Sequence, residues 1–142
     1  DGTTRRSRWD LGHIANLTAG KEWNLSAKKA RLRRFGCNGR AVWAGGQRAL
    51  PVDAAESARQ RTTVYKVSDG YGPRQADFFR VDLRLYWKRD LGNRRNSTFA
   101  LDFQNATFRR NIAYQYYDPF TKQVETKAQL GFIPNLSWRL EF

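Results

Sequence analysis

Phe79-Arg80-Val81-Asp82-Leu83-Arg84-Leu85-Tyr86-Trp87-Lys88 is the stretch that decides the fold. Phe79, Val81, Leu83, Leu85 and Trp87 alternate with Arg80, Asp82, Arg84, Tyr86 and Lys88. A period of two puts the first set on one face of an extended strand and the second set on the other. The same reading extends outward. Residues 97–105 set Phe99, Leu101 and Phe103 against Asp102 and Gln104, and residues 130–142 set Leu130, Phe132, Leu136, Trp138, Leu140 and Phe142 against Asn135, Ser137, Arg139 and Glu141. Upstream, Trp9, Leu11, Ala15, Leu17, Ala19, Trp23 and Leu25 are in phase over 9–25, and Phe35, Ala41 and Trp43 over 31–43, where Gly36 and Gly39 dilute the pattern. The sequence predicts an all-β chain, an antiparallel meander of about five long strands. Short polar turns are expected at 26–30 and 91–96 and long connections at 44–76 and 109–128. One or two helical turns are expected at Asp53–Arg59, and no other helix.

Composition narrows the class. The 142 residues carry 26 Lys and Arg against 13 Asp and Glu, a formal +13, yet 40% are hydrophobic and 14% aromatic, too apolar for a disordered basic tail. Length allows one domain. The chain begins Asp1-Gly2 and contains no Met, so we expect a piece of a larger protein. His13 and Cys37 are the only residues of their types, which excludes disulfide frameworks and zinc clusters within the chain and leaves no nucleophilic triad except through His13. No catalytic residue, metal site or cofactor is expected. No apolar run approaches the ~18 residues of a membrane helix.

An antiparallel sheet with one apolar and one charged face needs a cover, and the pattern supplies neither a helical layer nor a second sheet. The apolar face must turn inward in a small closed barrel or outward to lipid in a larger one. Aromatic placement favours lipid. Phe79 to Trp87 and Phe35 to Trp43 each span roughly 21 Å at ~3.4 Å per residue and ~40° tilt, close to the ~25 Å apolar band of outer-membrane barrels. Val81, Leu83, Leu85, Leu101, Phe103, Leu136 and Leu140 are then expected to face lipid, and Arg80, Asp82, Arg84, Asp102, Gln104, Arg139 and Glu141 the lumen. Trp23, Trp87, Phe99 and Phe142 fall beside the short turns or the terminus, where an interfacial girdle belongs. Short turns place that end in the periplasm and the long connections outside the cell.

The order Phe79-Arg80-Val81-Asp82-Leu83-Arg84-Leu85, then Leu101-Asp102-Phe103-Gln104-Asn105, then Arg110-Asn111, then Gly131-Phe132-Ile133-Pro134-Asn135-Leu136-Ser137-Trp138-Arg139-Leu140-Glu141-Phe142 resembles the C-terminal end of TonB-dependent outer-membrane receptors, especially those of Bacteroidota-type bacteria. Gly45-Gly46-Gln47-Arg48 with Pro51 and Asp53 looks like the loop preceding the Arg-Val-Asp strand in that group. The resemblance spans essentially the whole chain and departs at Phe108, where a second Asn is commoner. It implies a barrel of about 22 strands with a plugged lumen, energy-coupled nutrient uptake through TonB, and a C-terminal signature of Trp138, Leu140 and Phe142 read by the barrel-assembly machinery. The implied partners are outer-membrane lipid, that machinery, and the remaining barrel and plug, in the outer membrane of a Gram-negative bacterium. Nucleic acid is not among them.

Each feature also has a plainer or a different reading. Lys28, Lys29, Arg31, Arg33 and Arg34 have the charge of a nucleic-acid contact, the mark of a soluble basic β-domain, but beside a periplasmic turn they snorkel toward water or lipid phosphate. The alternating Arg and Asp residues read as lumen ion pairs ahead of acid/base chemistry. His13 reads as an interfacial or loop-edge residue and Cys37 as a small apolar strand residue. Tyr65, Tyr71, Tyr114, Tyr116 and Tyr117 are candidate extracellular ligand contacts or loop packing.

Overall fold

The structure, a computed structural model, describes residues 6–26 and 31–142. Its strands are β1 (Ile14–Asn24), β2 (Arg33–Ala44), β3 (Phe78–Gly92), β4 (Arg95–Gln104), β5 (Ile112–Asp118), β6 (Gln123–Ala128) and β7 (Ile133–Glu141). The α-helix α1 (Ala54–Gln60) and a 3-10 turn at Val67–Asp69 lie between β2 and β3. The sheet order is β1-β2-β3-β4-β7, with β5 and β6 forming a separate two-stranded sheet. The five strands of the alternating pattern are present in meander order, and β1 and β7 are the edges.

Several boundaries differ from expectation. Trp9 and Leu11 keep the phase but stand outside β1, because Gly12 adopts φ +81 and breaks the extended run. Leu130 and Phe132 likewise precede β7. The short turn at 91–96 shrinks to Asn93-Arg94, both left-handed, as a two-residue hairpin loop requires. The connection at 109–128 is not irregular; it contains the β5–β6 hairpin. The turn at 26–30, with Lys28 and Lys29, falls on residues 27–30, outside the described ones.

The chain divides into two compact units. The strand unit consists of the described parts of Asn16–Val42, Arg80–Arg109 and Gly131–Phe142. Backbone ladders hold it: Leu83 pairs with Phe103, Leu85 with Leu101 and Trp87 with Phe99, while Phe99 pairs with Trp138 and Leu101 with Leu136. Pro134 lacks an N–H and is tolerated because β7 is an edge. Ala100 is the one buried hydrophobic residue in this unit among the described residues. Among the described residues of this unit no second sheet or helix lies over the apolar face.

The loop unit consists of the described part of Asp1–Ala15 with Trp43–Phe79 and Arg110–Leu130. Polar fasteners hold it. Asp53 caps α1 by accepting from the Glu56 N–H (3.0 Å), and Arg61 closes the helix in a left-handed conformation. Ser57, fully buried, accepts from the Val64 N–H (2.9 Å). Gly45 and Gly46 have no room for a Cβ, which would overlap the carbonyls of Leu11 and Gln75. The buried Asn111 amide accepts from the Phe79 N–H (3.0 Å) and donates to the Phe79 carbonyl (2.9 Å), so a side chain substitutes for a strand pairing.

Candidate functional site

Alternation along each strand makes the sheet's two faces chemically opposite, and cross-strand register stacks like with like. On the charged face Arg84, Asp102 and Asn135 lie in one row across β3, β4 and β7, with Arg84 and Asp102 3.4 Å apart. Arg80 donates to Asp82 (2.6 Å), which also accepts from the Asn105 N–H (2.9 Å) at the end of β4. Asn105 takes a left-handed φ of 52°, and Phe108 one of 58°. That turn answers the departure at Phe108: its ring stacks on Phe132 (4.7 Å), and Phe132 stacks in turn on Phe103 (5.7 Å). Arg139 and Glu141 are 3.9 Å apart and largely exposed. Gln104 continues this face opposite Ile133.

A second cluster crosses β1, β2 and β3. Arg34 donates to Glu22 (3.1 Å), and the Tyr86 hydroxyl donates to the other Glu22 oxygen (2.9 Å). Tyr86 reaches that far because Gly36 lies beneath its ring; a Cβ at residue 36 would overlap it. An aromatic ring thus covers a glycine on the neighbouring strand. The face carries both signs of charge, with its carboxylates engaged by arginines.

The apolar face assembles one row that the sequence reading left incomplete. Trp23 stacks on Phe35 (5.7 Å), and the strand register places Trp87 beside Phe99 and Phe99 beside Trp138. Between these, the Asp90 N–H donates to the Leu32 carbonyl (2.9 Å) and Tyr86 covers Gly36, an alignment that brings Phe35 beside Trp87. Every strand of the sheet therefore contributes one aromatic side chain to a single row: Trp23, Phe35, Trp87, Phe99 and Trp138. Trp87 is 51% exposed and Trp138 69%. The Trp138 indole N–H donates to Ser97 (3.0 Å). Phe142 does not join; it lies beyond β7 and is 90% exposed. Phe35 takes a place in the row for which its own strand gave no signal, since membership depends on register between strands. Val81, Leu83, Leu85, Leu101, Phe103, Leu136 and Leu140 share this face.

In the loop unit a cleft of about 220 Å³ is lined by Arg48, Tyr65, Tyr71, Gln75, Tyr114 and Gln115 among others. Tyr65 donates to the Gln115 carbonyl (3.1 Å). Tyr116 and Tyr117 are not in its lining. Tyr117 is buried at 5% exposure, with its N–H held by Thr63 (3.0 Å), and Tyr116 donates to Glu125 (3.2 Å), a bond that raises its hydroxyl pKa. Asp10 gathers Arg6 (2.9 Å), Arg74 (2.7 Å) and Arg48 (3.0 Å). Hydrogen bonds from Arg6 and Arg74 above all, then Arg48, hold its carboxyl well below the usual carboxylate range. His13 packs edge-on against Trp43 (4.6 Å), with Asp77 3.7 Å from its Nε2. Cys37 is a free thiol on β2.

Among the described residues no cluster of three metal-ligating side chains occurs. No described helix is long and apolar enough to cross a membrane, which says nothing of spanning strands. Set against protein-family models, curated proteins and solved structures, the chain matches none.

Proposed function

We propose that this chain is a wall segment of an outer-membrane β-barrel of the TonB-dependent receptor type, serving energy-coupled uptake of a nutrient. The observation that carries the membrane part is the aromatic row, one ring per strand, bordering an apolar face that no other layer of its unit covers. One ring per strand near the short-turn end of a sheet is what an interfacial girdle needs, and a bare apolar face is what lipid needs. The open edges β1 and β7 call for neighbouring strands of a larger barrel. The receptor type rests on the resemblance of the Arg80-Val81-Asp82 strand and the Gly131–Phe142 ending. On this reading the charged face lines the lumen and no chemistry is catalysed. Plug, TonB and barrel-assembly machinery are partners of the parent protein, and the cleft at Tyr65, Tyr71 and Tyr114 is open to ligand from outside the cell.

The nucleic-acid alternative draws on the +13 charge. The pairing of Arg80 with Asp82, Arg34 with Glu22 and Arg84 with Asp102 gives the charged face both signs, unlike the basic groove that tracks a phosphate backbone. The test is topological. Epitope tags near Gly70 or Thr121 of the parent protein are expected to be detected on intact cells, and tags at Asn93 are not. Detection at neither site, with the protein recovered in the soluble fraction and binding nucleic acid with a steep salt dependence, would replace this reading with the alternative.

A further inference from the structure

One row beyond the aromatic residues, toward the Asn93-Arg94 hairpin, the apolar side of the sheet changes character. Arg89 pairs with Ser97, whose hydroxyl accepts from the Trp138 indole, so Arg89 stands on the same side as the aromatic row. The bond from the Asp90 N–H to the Leu32 carbonyl aligns Arg33 with Arg89 on adjacent strands. Both side chains are exposed, and neither has a carboxylate within salt-bridge distance among the described residues. Ser97 and Leu140 complete the row on β4 and β7. Like charges directly opposite each other on a sheet are unfavourable unless an anion lies between them. A third cation stands two rows inward, on the other side of the aromatic row: the Lys21 ammonium lies 5.6 Å over the Trp23 ring.

On the membrane reading proposed above, we infer that Arg33 and Arg89 form a seat for the phosphodiester headgroup of an anionic phospholipid in the leaflet at the short-turn end. The geometry supplies both halves of such a ligand's requirements. Trp23, Phe35 and Trp87 border the level where acyl chains begin, and the two guanidiniums lie one strand residue pair beyond, each able to give paired N–H groups to phosphate oxygens. Guanidinium suits this better than ammonium, being planar and weakly hydrated. The net negative charge of the lipid relieves the Arg33–Arg89 repulsion that the described residues leave uncompensated.

The test uses the barrel that contains this chain, folded into phosphatidylcholine bilayers with and without phosphatidylglycerol. Insertion is read first, from protease protection in pure phosphatidylcholine; failure to insert there sinks the membrane reading itself. Preference is read separately, from quenching of tryptophan fluorescence by spin-labelled phosphatidylglycerol against spin-labelled phosphatidylcholine. We expect a preference of about tenfold for the anionic lipid at the protein surface. The double variant Arg33→Gln/Arg89→Gln should abolish it and still insert, and Arg33→Lys/Arg89→Lys should keep most of it. An inserted barrel with no preference, or one whose preference survives the double Gln variant, overturns the seat and leaves the membrane reading standing. Preference for lipopolysaccharide alone, lost in the same double variant, would overturn the choice of lipid.

Discussion

The two units of this chain are stable for opposite reasons. The strand unit is a ladder of backbone bonds with little of its own to bury: Ala100 and Asn105 are buried, while Trp87, Leu136 and Trp138 stand exposed. The loop unit is held by side chains that bond backbone, as Asn111 does to Phe79, Ser57 to Val64 and Arg48 to the Gly72 carbonyl (2.9 Å). A sheet of the first kind depends on what surrounds it, since hydrophobic stabilisation exists only when the apolar area leaves water. A loop of the second kind carries its own determinants. The contrast teaches that exposed apolar surface in one unit is a demand on the environment, whereas polar density in the other answers a demand of its own backbone.

The sharpest way to break that comparison is to place charge on the bare face. On the membrane reading proposed above, Leu83→Arg should cost ~2–4 kcal/mol in folding titrations of the parent protein into lipid, the range for a basic residue near the bilayer midplane. A cost close to zero would mean that this face does not meet lipid. Filling the space under Tyr86 comes next. Gly36→Val should destabilise by ~1–3 kcal/mol through overpacking in a structure that cannot yield locally, and Tyr86→Ala in the same chain should recover part of that loss. Additive costs in the double variant would show that ring and glycine do not interact.

In the loop unit, Asn111→Ala removes both bonds to Phe79 and should cost about 1–2 kcal/mol, seen as faster amide exchange in β5 and β6 with the β3–β4 ladder unchanged. Equal loosening of β3 and β4 would erase the distinction between the units. On the charged face, Arg84→Gln should cost no more than ~1 kcal/mol, because water reaches the partner left behind. The smallest effect belongs to acid. Asp10 has a folded pKa below its ordinary value, so its contribution is fully present above that ordinary value and is lost as pH falls through the depressed one. Proteolysis of 45–77 should therefore accelerate only in strong acid, and Asp10→Asn should show that acceleration already at neutral pH.

Much of the strand unit was legible because its two faces differ in chemistry, and alternation records this directly: Leu83 beside Arg84 needs no partner to be read. The helix was legible from Asp53 and the residues after it. The β5–β6 hairpin was not, since Tyr114, Tyr116 and Tyr117 place aromatics on both faces and mask the period. Tyr117 read equally as a ligand contact or as loop packing, and its ring is buried. The aromatic row was legible only in pieces. Phe35 and Trp87 lie far apart in sequence, and only interstrand register, fixed by backbone bonds such as Asp90 to Leu32, makes them neighbours.

The ring of Tyr86 over Gly36 also bears on how such a sheet finds its alignment. Two strands of alternating residues can pair equally well, as far as their faces are concerned, at any offset of two. A shift of β2 against β3 by two residues would leave every apolar residue on the apolar side. It would also set Tyr86 against Arg34 or Asn38, side chains that leave no hollow for its ring. Gly36 is the only charged-face position nearby on β2 without a side chain, so the pair acts as a key and its slot. Faces tell a strand which way to turn; this one contact tells it how far to slide.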